Sequence, residues 1–274
     1  MKRMAFLSVL FSVAVCNGLY SQPLQDTAAM VKEFRKVMNF ALQPYVYYTT
    51  VTNISSDPII EATDTLHTNG IFYKNNTDIY YENGPETVYL QDSLLIQVNH
   101  ERKTIWVSRV DMASKERLNT MPVGNKQLQE IMRKNYSMNT SVTDSNTNRL
   151  HFETRQRVGQ SGVVSNRINL DYTASDHLPN AMEIEMHMQQ PADEDMISQI
   201  KAQGVDDSKL IQLINGAKYL VRMQKLQMVF GAIDFSKEKA AQMPLWKEVI
   251  TFNPAEQQYT GKAPLAGYEV TKTF

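Results

Sequence analysis

The sequence predicts an α+β protein that is mainly antiparallel β-sheet, and three observations support this prediction. One segment near the N-terminus repeats its apolar residues at helical spacing. From Tyr45 onward the pattern changes to alternation, in short segments separated by turn-forming residues. Short connections require antiparallel neighbours, because a parallel crossover needs about a dozen residues or more. The expected fold is therefore one helix, then a meander of strands with short helices inserted.

The first residues have the features of a secretory signal peptide. Lys2 and Arg3 precede an apolar centre from Met4 to Val15, and Ser21 is a small residue at the expected cleavage site. The apolar centre is shorter than the roughly 20 residues of a membrane-spanning helix. We therefore expect a signal peptide at residues 1–21 and a periplasmic protein that is not an integral membrane protein.

Cys16 is the only cysteine and leaves a second interpretation open. A lipoprotein signal is cut immediately before a cysteine that then carries the lipid. Here Val13-Ala14-Val15 places a branched valine where that peptidase normally requires glycine, alanine or serine. A lipid anchor at Cys16 is therefore the minor alternative. On the favoured interpretation, residues 22–274 form a single cysteine-free domain without a disulfide or a thiolate nucleophile.

An amphipathic helix is predicted from Asp26 to Leu42. Asp26 is a suitable N-cap, and Pro44 marks the end of the segment. Charged residues occupy the rest of the helix surface, and one apolar stripe contains Met30, Phe34, Val37, Met38 and Ala41.

Six strands are then expected between Tyr45 and Arg109. His100 and Glu101 are adjacent within this region, which raises the possibility of an acid–base pair. Adjacent residues on a strand or turn usually point apart, and no third orienting group is evident. We therefore expect both residues at an exposed corner between two strands.

The second half of the chain should contain further strands and short helices. The strand from Leu178 to Gln190 alternates most regularly, with methionines and Ile184 on one face and Glu183, Glu185 and His187 on the other. The other segments are a helix at 123–136, a hairpin at 149–158 and 163–172, a helical region at 193–217 and strands at 218–230, 247–252 and 267–274.

The sequence contains no motif that defines a reaction or a metal site. Ser161 lacks the G-x-S-x-G context of a nucleophile elbow. The segment from Asp144 resembles the start of a calcium loop, but Arg149 replaces the required glycine. The five histidines lack metal-ligand spacing. We therefore expect no enzymatic activity, no cofactor and no metal. The net charge of −1, without a basic cluster, argues against nucleic-acid binding.

The run GIFYKNNTDIYYENGPETVYLQDSLLIQVNHERKTIWV, residues 70–107, resembles the LolA/LolB-like family of periplasmic lipoprotein carriers. The order of helix, meander, inserted helices and closing strands is also similar. The resemblance implies an incomplete, half β-barrel over residues 22–274 that wraps around the N-terminal helix. In that family the concave apolar face receives acyl chains.

The methionines provide a separate indication of function. Flexible, polarisable methionine surfaces suit varied apolar ligands, although methionine is also an ordinary core residue. If the helix covers the sheet incompletely, an apolar pocket should be lined by Met30, Phe34, Val37, Met38, Met182, Ile184, Met186, Met188, Val221, Met223 and Met228.

The function expected from these features is a non-enzymatic periplasmic carrier or sensor. Its partner would be an apolar ligand, such as a lipoprotein acyl chain or another lipid. The alternative is an envelope scaffold with a filled core, which binds another envelope protein and no small molecule. An interior cavity would distinguish the two functions.

Overall fold

A computed structural model describes residues 27–57, 59, 64–116, 134–154, 163–202, 204, 211–214 and 217–273. The predicted signal peptide, Cys16, Ser161 and most of the helix predicted at 123–136 lie outside these ranges. The helices whose bounds are described are α1 (Thr27–Met38), α2 (Glu194–Ala202), α3 (Lys237–Ala240) and α4 (Trp246–Val249), and a 3₁₀ turn spans Asn39–Leu42. Residues 112–116 are also helical.

The strands confirm the prediction of a mainly antiparallel protein with few helices. The six strands expected between Tyr45 and Arg109 all form. The strands are β1 (Tyr45–Asp57), β2 (Thr65–Asn75), β3 (Asp78–Asn83), β4 (Glu86–Gln91), β5 (Leu94–Asn99), β6 (Thr104–Arg109), β7 (Tyr136–Val142), β8 (Thr147–Thr154), β9 (Val163–Thr173), β10 (Pro179–Pro191), β11 (Ile211–Ile214), β12 (Ala217–Phe230), β13 (Ile250–Asn253), β14 (Gln258–Gly261) and β15 (Glu269–Lys272).

Two predicted elements are wrong in type. Residues 211–214 form β11, which pairs with β12, instead of continuing a helical region. Residues 246–249 form the helical turn α4, so the strand expected from Lys247 begins only at Ile250. Both segments are four residues long, and so short an apolar pattern does not distinguish a strand from a helical turn.

The chain divides into two compact units. The first contains residues 1–37, 53–66 and 125–228, and the second contains residues 38–52, 67–124 and 229–274. In the first unit the strand order is β12-β10-β9-β8-β7, and in the second it is β15-β6-β5-β4-β3-β2-β1. Over the residues placed in the structure, neither order returns to its first strand, so both are open.

The core of the second unit lies on one face of the β2–β6 meander. Strand register places Tyr73, Tyr80, Tyr89, Ile96 and Val107 in one row across the five strands. The C-terminal segment covers this row with an apolar set that comprises Met243, Trp246, Ile250 and Leu265.

The buried Gln91 makes two of the hydrogen bonds that attach the C-terminal segment to the meander. The Gln91 amide donates to the Pro244 carbonyl at 2.7 Å and accepts from the Trp246 backbone N–H at 3.0 Å. Gln91 is buried, where its side-chain amide needs hydrogen-bond partners. The C-terminal segment provides a partner for both the N–H and the carbonyl of this amide.

His100 and Glu101 are exposed at the corner between β5 and β6, as predicted. The His100 ring also has two partners. Its Nε2 lies 3.0 Å from the Thr87 hydroxyl, and its Nδ1 lies 3.2 Å from the Tyr268 hydroxyl. Tyr268 directly precedes β15, which pairs with β6 in parallel. His100 therefore attaches the last strand to the corner, which is a structural role.

Candidate functional site

The sheet of the first unit has one apolar face, which we call the methionine face. Register places Ile184, Ile168, Phe152 and Met138 in one row across β10, β9, β8 and β7. Alternation along each strand adds the residues on either side of this row. The methionine face consists of Met182, Ile184, Met186, Met188, Asn166, Ile168, Leu170, Leu150, Phe152 and Met138.

The opposite face of the same strands is charged. Arg167 contacts Glu153 at 3.4 Å and Glu185 at 3.6 Å. Arg149 makes a bidentate ion pair with Asp171, with N–O distances of 2.6 and 2.7 Å. His187 lies on this face, 3.0 Å from Glu185. The predicted division of β10 into an apolar and a polar face is therefore confirmed. Among the residues placed in the structure, no group of His, Cys, Asp and Glu has the geometry to hold a metal.

Burial and one ion pair together indicate which face the residues of β12 occupy. Lys225 contacts Glu183 on the charged face at 2.7 Å, so odd-numbered positions of β12 lie on that face. Val221 and Met223 are therefore separated from Met228, although the predicted pocket grouped them. Even-numbered positions continue the methionine face and include the buried Leu220, Leu226 and Met228.

Helix α1 packs on the methionine face. The Phe34 ring meets the Phe152 ring edge-to-face at 5.6 Å, and Val37 is fully buried. Met30 and Phe34 remain half-buried. Of the other predicted lining residues, Ile184 is buried, and Met182, Met186 and Met188 are half-buried. Met38 belongs to the second unit and is half-buried there.

Glu33 attaches α1 to the end of β9 and to the turn that follows. Its carboxylate accepts from the Tyr172 hydroxyl at 3.0 Å and from Lys36 Nζ at 2.8 Å, and it lies 3.1 Å from His177 Nε2. Burial alone raises the pKa of Glu33. The hydrogen bonds from Lys36 and Tyr172 and the charges of Lys36 and His177 together outweigh burial, so the pKa lies below its ordinary value.

Replacing Glu33 with Gln should lower the free energy of unfolding by about 1 kcal/mol at neutral pH, because a charged hydrogen-bond acceptor is lost. A carboxylate with a lowered pKa stabilises the fold above its ordinary pKa, and this contribution disappears as the pH falls through the lowered value. The wild type and the variant should therefore converge below pH 4.5, the ordinary value for Glu. Urea unfolding measured across this range tests the prediction.

The matched control is Glu194→Gln, which changes an exposed glutamate paired with Lys218. We expect it to alter the unfolding free energy by less than about 1 kcal/mol at any pH. A pH-independent difference between the wild type and the Glu33 variant would contradict the proposed role of the ionised carboxylate.

The methionine face also contains polar groups that the sequence did not single out. Arg222 on β12 donates to Asp64 at 2.5 Å, and Gln224 approaches the Ser56 hydroxyl at 3.4 Å. Two buried polar atoms on this face have no hydrogen-bond partner, the Nε of Arg222 and the Oδ1 of Asn166. The face therefore combines apolar area with one spare donor and one spare acceptor.

Within the described ranges, no helix is both long enough and apolar enough to cross a membrane. The sequence matches no family model and no curated protein.

Solved structures that are similar to this chain include the following two. A DUF1329 family protein from Desulfovibrio piger is 10% identical, with a TM-score of 0.32 over 86% of this chain and 100% of that chain. A LolA superfamily protein from Nitrosomonas europaea is 8% identical, with a TM-score of 0.27 over 79% of this chain and 100% of that chain. Both similarities are weak and concern the fold alone.

Proposed function

We propose that this protein is a non-enzymatic periplasmic carrier or sensor that binds an apolar ligand, such as a lipoprotein acyl chain, on the methionine face beneath α1. The observation that carries the proposal is the partial burial of this face. Met182, Met186 and Met188 lie on the face that α1 packs against, yet none of them is fully buried. A ligand that covers these methionines removes their remaining apolar surface from water, and this burial favours binding.

The energetics of burial support an aliphatic ligand. Each methylene removed from water contributes about 0.8 kcal/mol. The burial of an acyl chain can therefore offset the free-energy cost of lost translational and rotational freedom on binding, which is about 4–15 kcal/mol. Methionine side chains adapt to such a chain because they are unbranched and polarisable.

In this proposal α1 is the cover of the ligand site, and the sheet curves around it as a half-barrel. The Phe34–Phe152 contact and the hydrogen bond from Tyr172 to Glu33 hold the helix on the face. An acyl chain bound beneath α1 would replace part of the contact between Phe34 and Phe152. Phe34 would therefore contact both the sheet and the ligand.

An envelope scaffold without a small-molecule ligand is the second candidate. It is favoured by the nearly complete burial of Val37, Ile184 and Leu220, which shows that part of this face is already filled. A scaffold should bind no acyl probe, whereas a carrier should bind one.

The test is titration of a fluorescent fatty-acyl probe into the purified protein and its Phe34→Glu variant. We expect the wild type to bind and the variant to bind at least about tenfold more weakly, because a phenylalanine that becomes fully buried against a ligand contributes roughly 1.5–3 kcal/mol. The matched control is Phe235→Glu, which makes the same change at an exposed phenylalanine of the second unit.

Circular dichroism must first show that both variants are folded. Absence of probe binding by the folded wild type would reject the carrier and leave the scaffold. Equal loss of binding in the Phe34 and Phe235 variants would place the ligand elsewhere.

A further inference from the structure

We propose that the second unit binds an uncharged, extended β-1,4-linked glycan on one face of the β2–β6 meander. The glycan stacks on Trp106 and forms hydrogen bonds with polar side chains of β4, β5 and β6. This site is separate from the methionine face, because all of its residues belong to the second unit. The inference therefore does not depend on the proposed function.

The site is formed by six residues that share one face of β4, β5 and β6. Strand register arranges them in two rows of three. They alternate along their strands with Tyr89, Ile96 and Val107, so they lie on the face opposite to the core covered by the C-terminal segment. These six residues, which we call the β4–β6 patch, are Glu86, Asn99 and Thr104 in one row and Val88, Gln97 and Trp106 in the next.

Trp106 provides the apolar part of the patch. It is half-buried, as are Val88 and Gln97 in the same row, so part of this row remains exposed. A sugar ring has an apolar face that can pack flat against an aromatic side chain. Ligand sites generally combine such aromatic surface with a few polar groups that fix the orientation of the ligand.

Thr104 has unused hydrogen-bonding capacity in the adjacent row. Its Oγ1 atom is buried and has no hydrogen-bond partner among the residues that the structure describes. The residue as a whole is half-buried, and rotation about χ1 exchanges the positions of its hydroxyl and methyl groups. A hydroxyl without a partner is unfavourable. A sugar hydroxyl, which both donates and accepts, can satisfy it.

The amides of the patch suit the same ligand. The Asn99 side-chain carbonyl accepts from the Arg102 backbone N–H at 2.8 Å, which fixes the orientation of this buried amide. Asn99 and Gln97 each carry donors and an acceptor, the combination that matches sugar hydroxyls. None of the six side chains is a cation, so an anionic ligand gains no ion pair from the patch. These groups favour an uncharged glycan.

Both rows continue across the neighbouring strands, which indicates an extended ligand. The polar row continues through Asn83 to Thr50, whose buried hydroxyl lies over Gly70 and also has no partner within the described ranges. The aromatic row continues through Tyr81 to Phe72. Neighbouring members of a row are about 4.8 Å apart, the spacing of adjacent strands. This repeat is comparable with the length of one sugar unit in an extended β-1,4-linked chain.

The experiment is isothermal titration calorimetry of the purified protein with cellotetraose and maltotetraose. Both consist of four glucose units, but the β-1,4-linked cellotetraose is extended and the α-1,4-linked maltotetraose is helical. We expect cellotetraose to bind at least about tenfold more tightly than maltotetraose. Trp106→Ala should weaken cellotetraose binding at least about tenfold, whereas Trp106→Phe should retain most of the affinity because it keeps an aromatic ring.

Thr104→Val separates a role in binding from a role in folding. It removes the hydroxyl but keeps the shape of the side chain, so it should weaken cellotetraose binding at least about threefold. The midpoint of urea unfolding should stay the same or rise, because a buried hydroxyl without a partner is lost. The matched control is Thr140→Val at an exposed position of the first unit, which should leave binding unchanged.

Three outcomes would overturn the inference. The first is absence of cellotetraose binding by the folded wild type, and the second is equal affinity for the two tetrasaccharides. The third is unchanged binding in Thr104→Val, which also serves as the test if Trp106→Ala does not fold. Binding of the fatty-acyl probe bears only on the methionine face, so the proposed function and this inference can fail independently.

Discussion

Replacing Arg222 with Met is expected to lower the free energy of unfolding by about 3–5 kcal/mol, because breaking a largely buried ion pair by removing one partner is strongly destabilising. The partner is Asp64, whose side chain is 8% exposed and which accepts from Arg222 at 2.5 Å. The loss should appear as a lower midpoint of urea unfolding followed by far-ultraviolet circular dichroism.

A double variant shows whether charge is the cause. Combining Arg222→Met with Asp64→Leu replaces the pair with apolar side chains, which is often neutral or stabilising. We therefore expect it to recover most of the lost stability. As a matched control, Lys218→Met removes the lysine of the exposed pair with Glu194 and should cost less than about 1 kcal/mol. A loss of less than about 1 kcal/mol in the Arg222 single variant would show that the pair is solvated.

The second large effect is expected in the other unit, where Trp246→Ala should lower the free energy of unfolding by about 3–5 kcal/mol. Trp246 is 8% exposed within the core that covers the row of Tyr73, Tyr80, Tyr89, Ile96 and Val107. Its backbone N–H donates to Gln91, and its indole N–H donates to Asp92 at 3.4 Å. Truncation leaves a cavity at the point where the C-terminal segment is attached to the meander.

Trp106→Ala is the matched control, because it changes the other tryptophan of the chain at a half-buried position. It should destabilise less than Trp246→Ala. The remaining tryptophan reports unfolding by fluorescence in each variant. Equal losses for the two variants would contradict the assignment of Trp246 to the core.

The strands were predictable where polarity alternates over a long segment. In β10 the repeat of methionine and Ile184 against Glu183, Glu185 and His187 predicts both the strand and the faces that the structure shows. The same rule failed for β11 and α4, because four residues do not define a period. The helix stripe was predictable for a similar reason, since Phe34 and Val37 recur at helical spacing and both contribute to the packing of α1.

The polar part of the candidate site was not predictable from the pattern. Arg222 and Gln224 occupy inward positions of β12, so their polarity obscures the alternation between Leu220 and Leu226. Val221 and Met223 were consequently predicted to line the pocket together with Met228. The partner that permits an inward arginine, Asp64, is 158 residues away along the chain. No local pattern indicates a pairing over that distance.

The parallel pairing of β15 with β6 has a consequence for biosynthesis. Glu269 lies opposite Thr104, so the last strand of the second unit is synthesised long after the strand it covers. The intervening residues 125–228 belong to the first unit and are available earlier. Until the C-terminal segment has docked, the outer edge of β6 and the row of Tyr73, Tyr80, Tyr89, Ile96 and Val107 are therefore without their cover. An exposed strand edge can pair with other chains, so a chain that has not yet docked this segment is prone to aggregate.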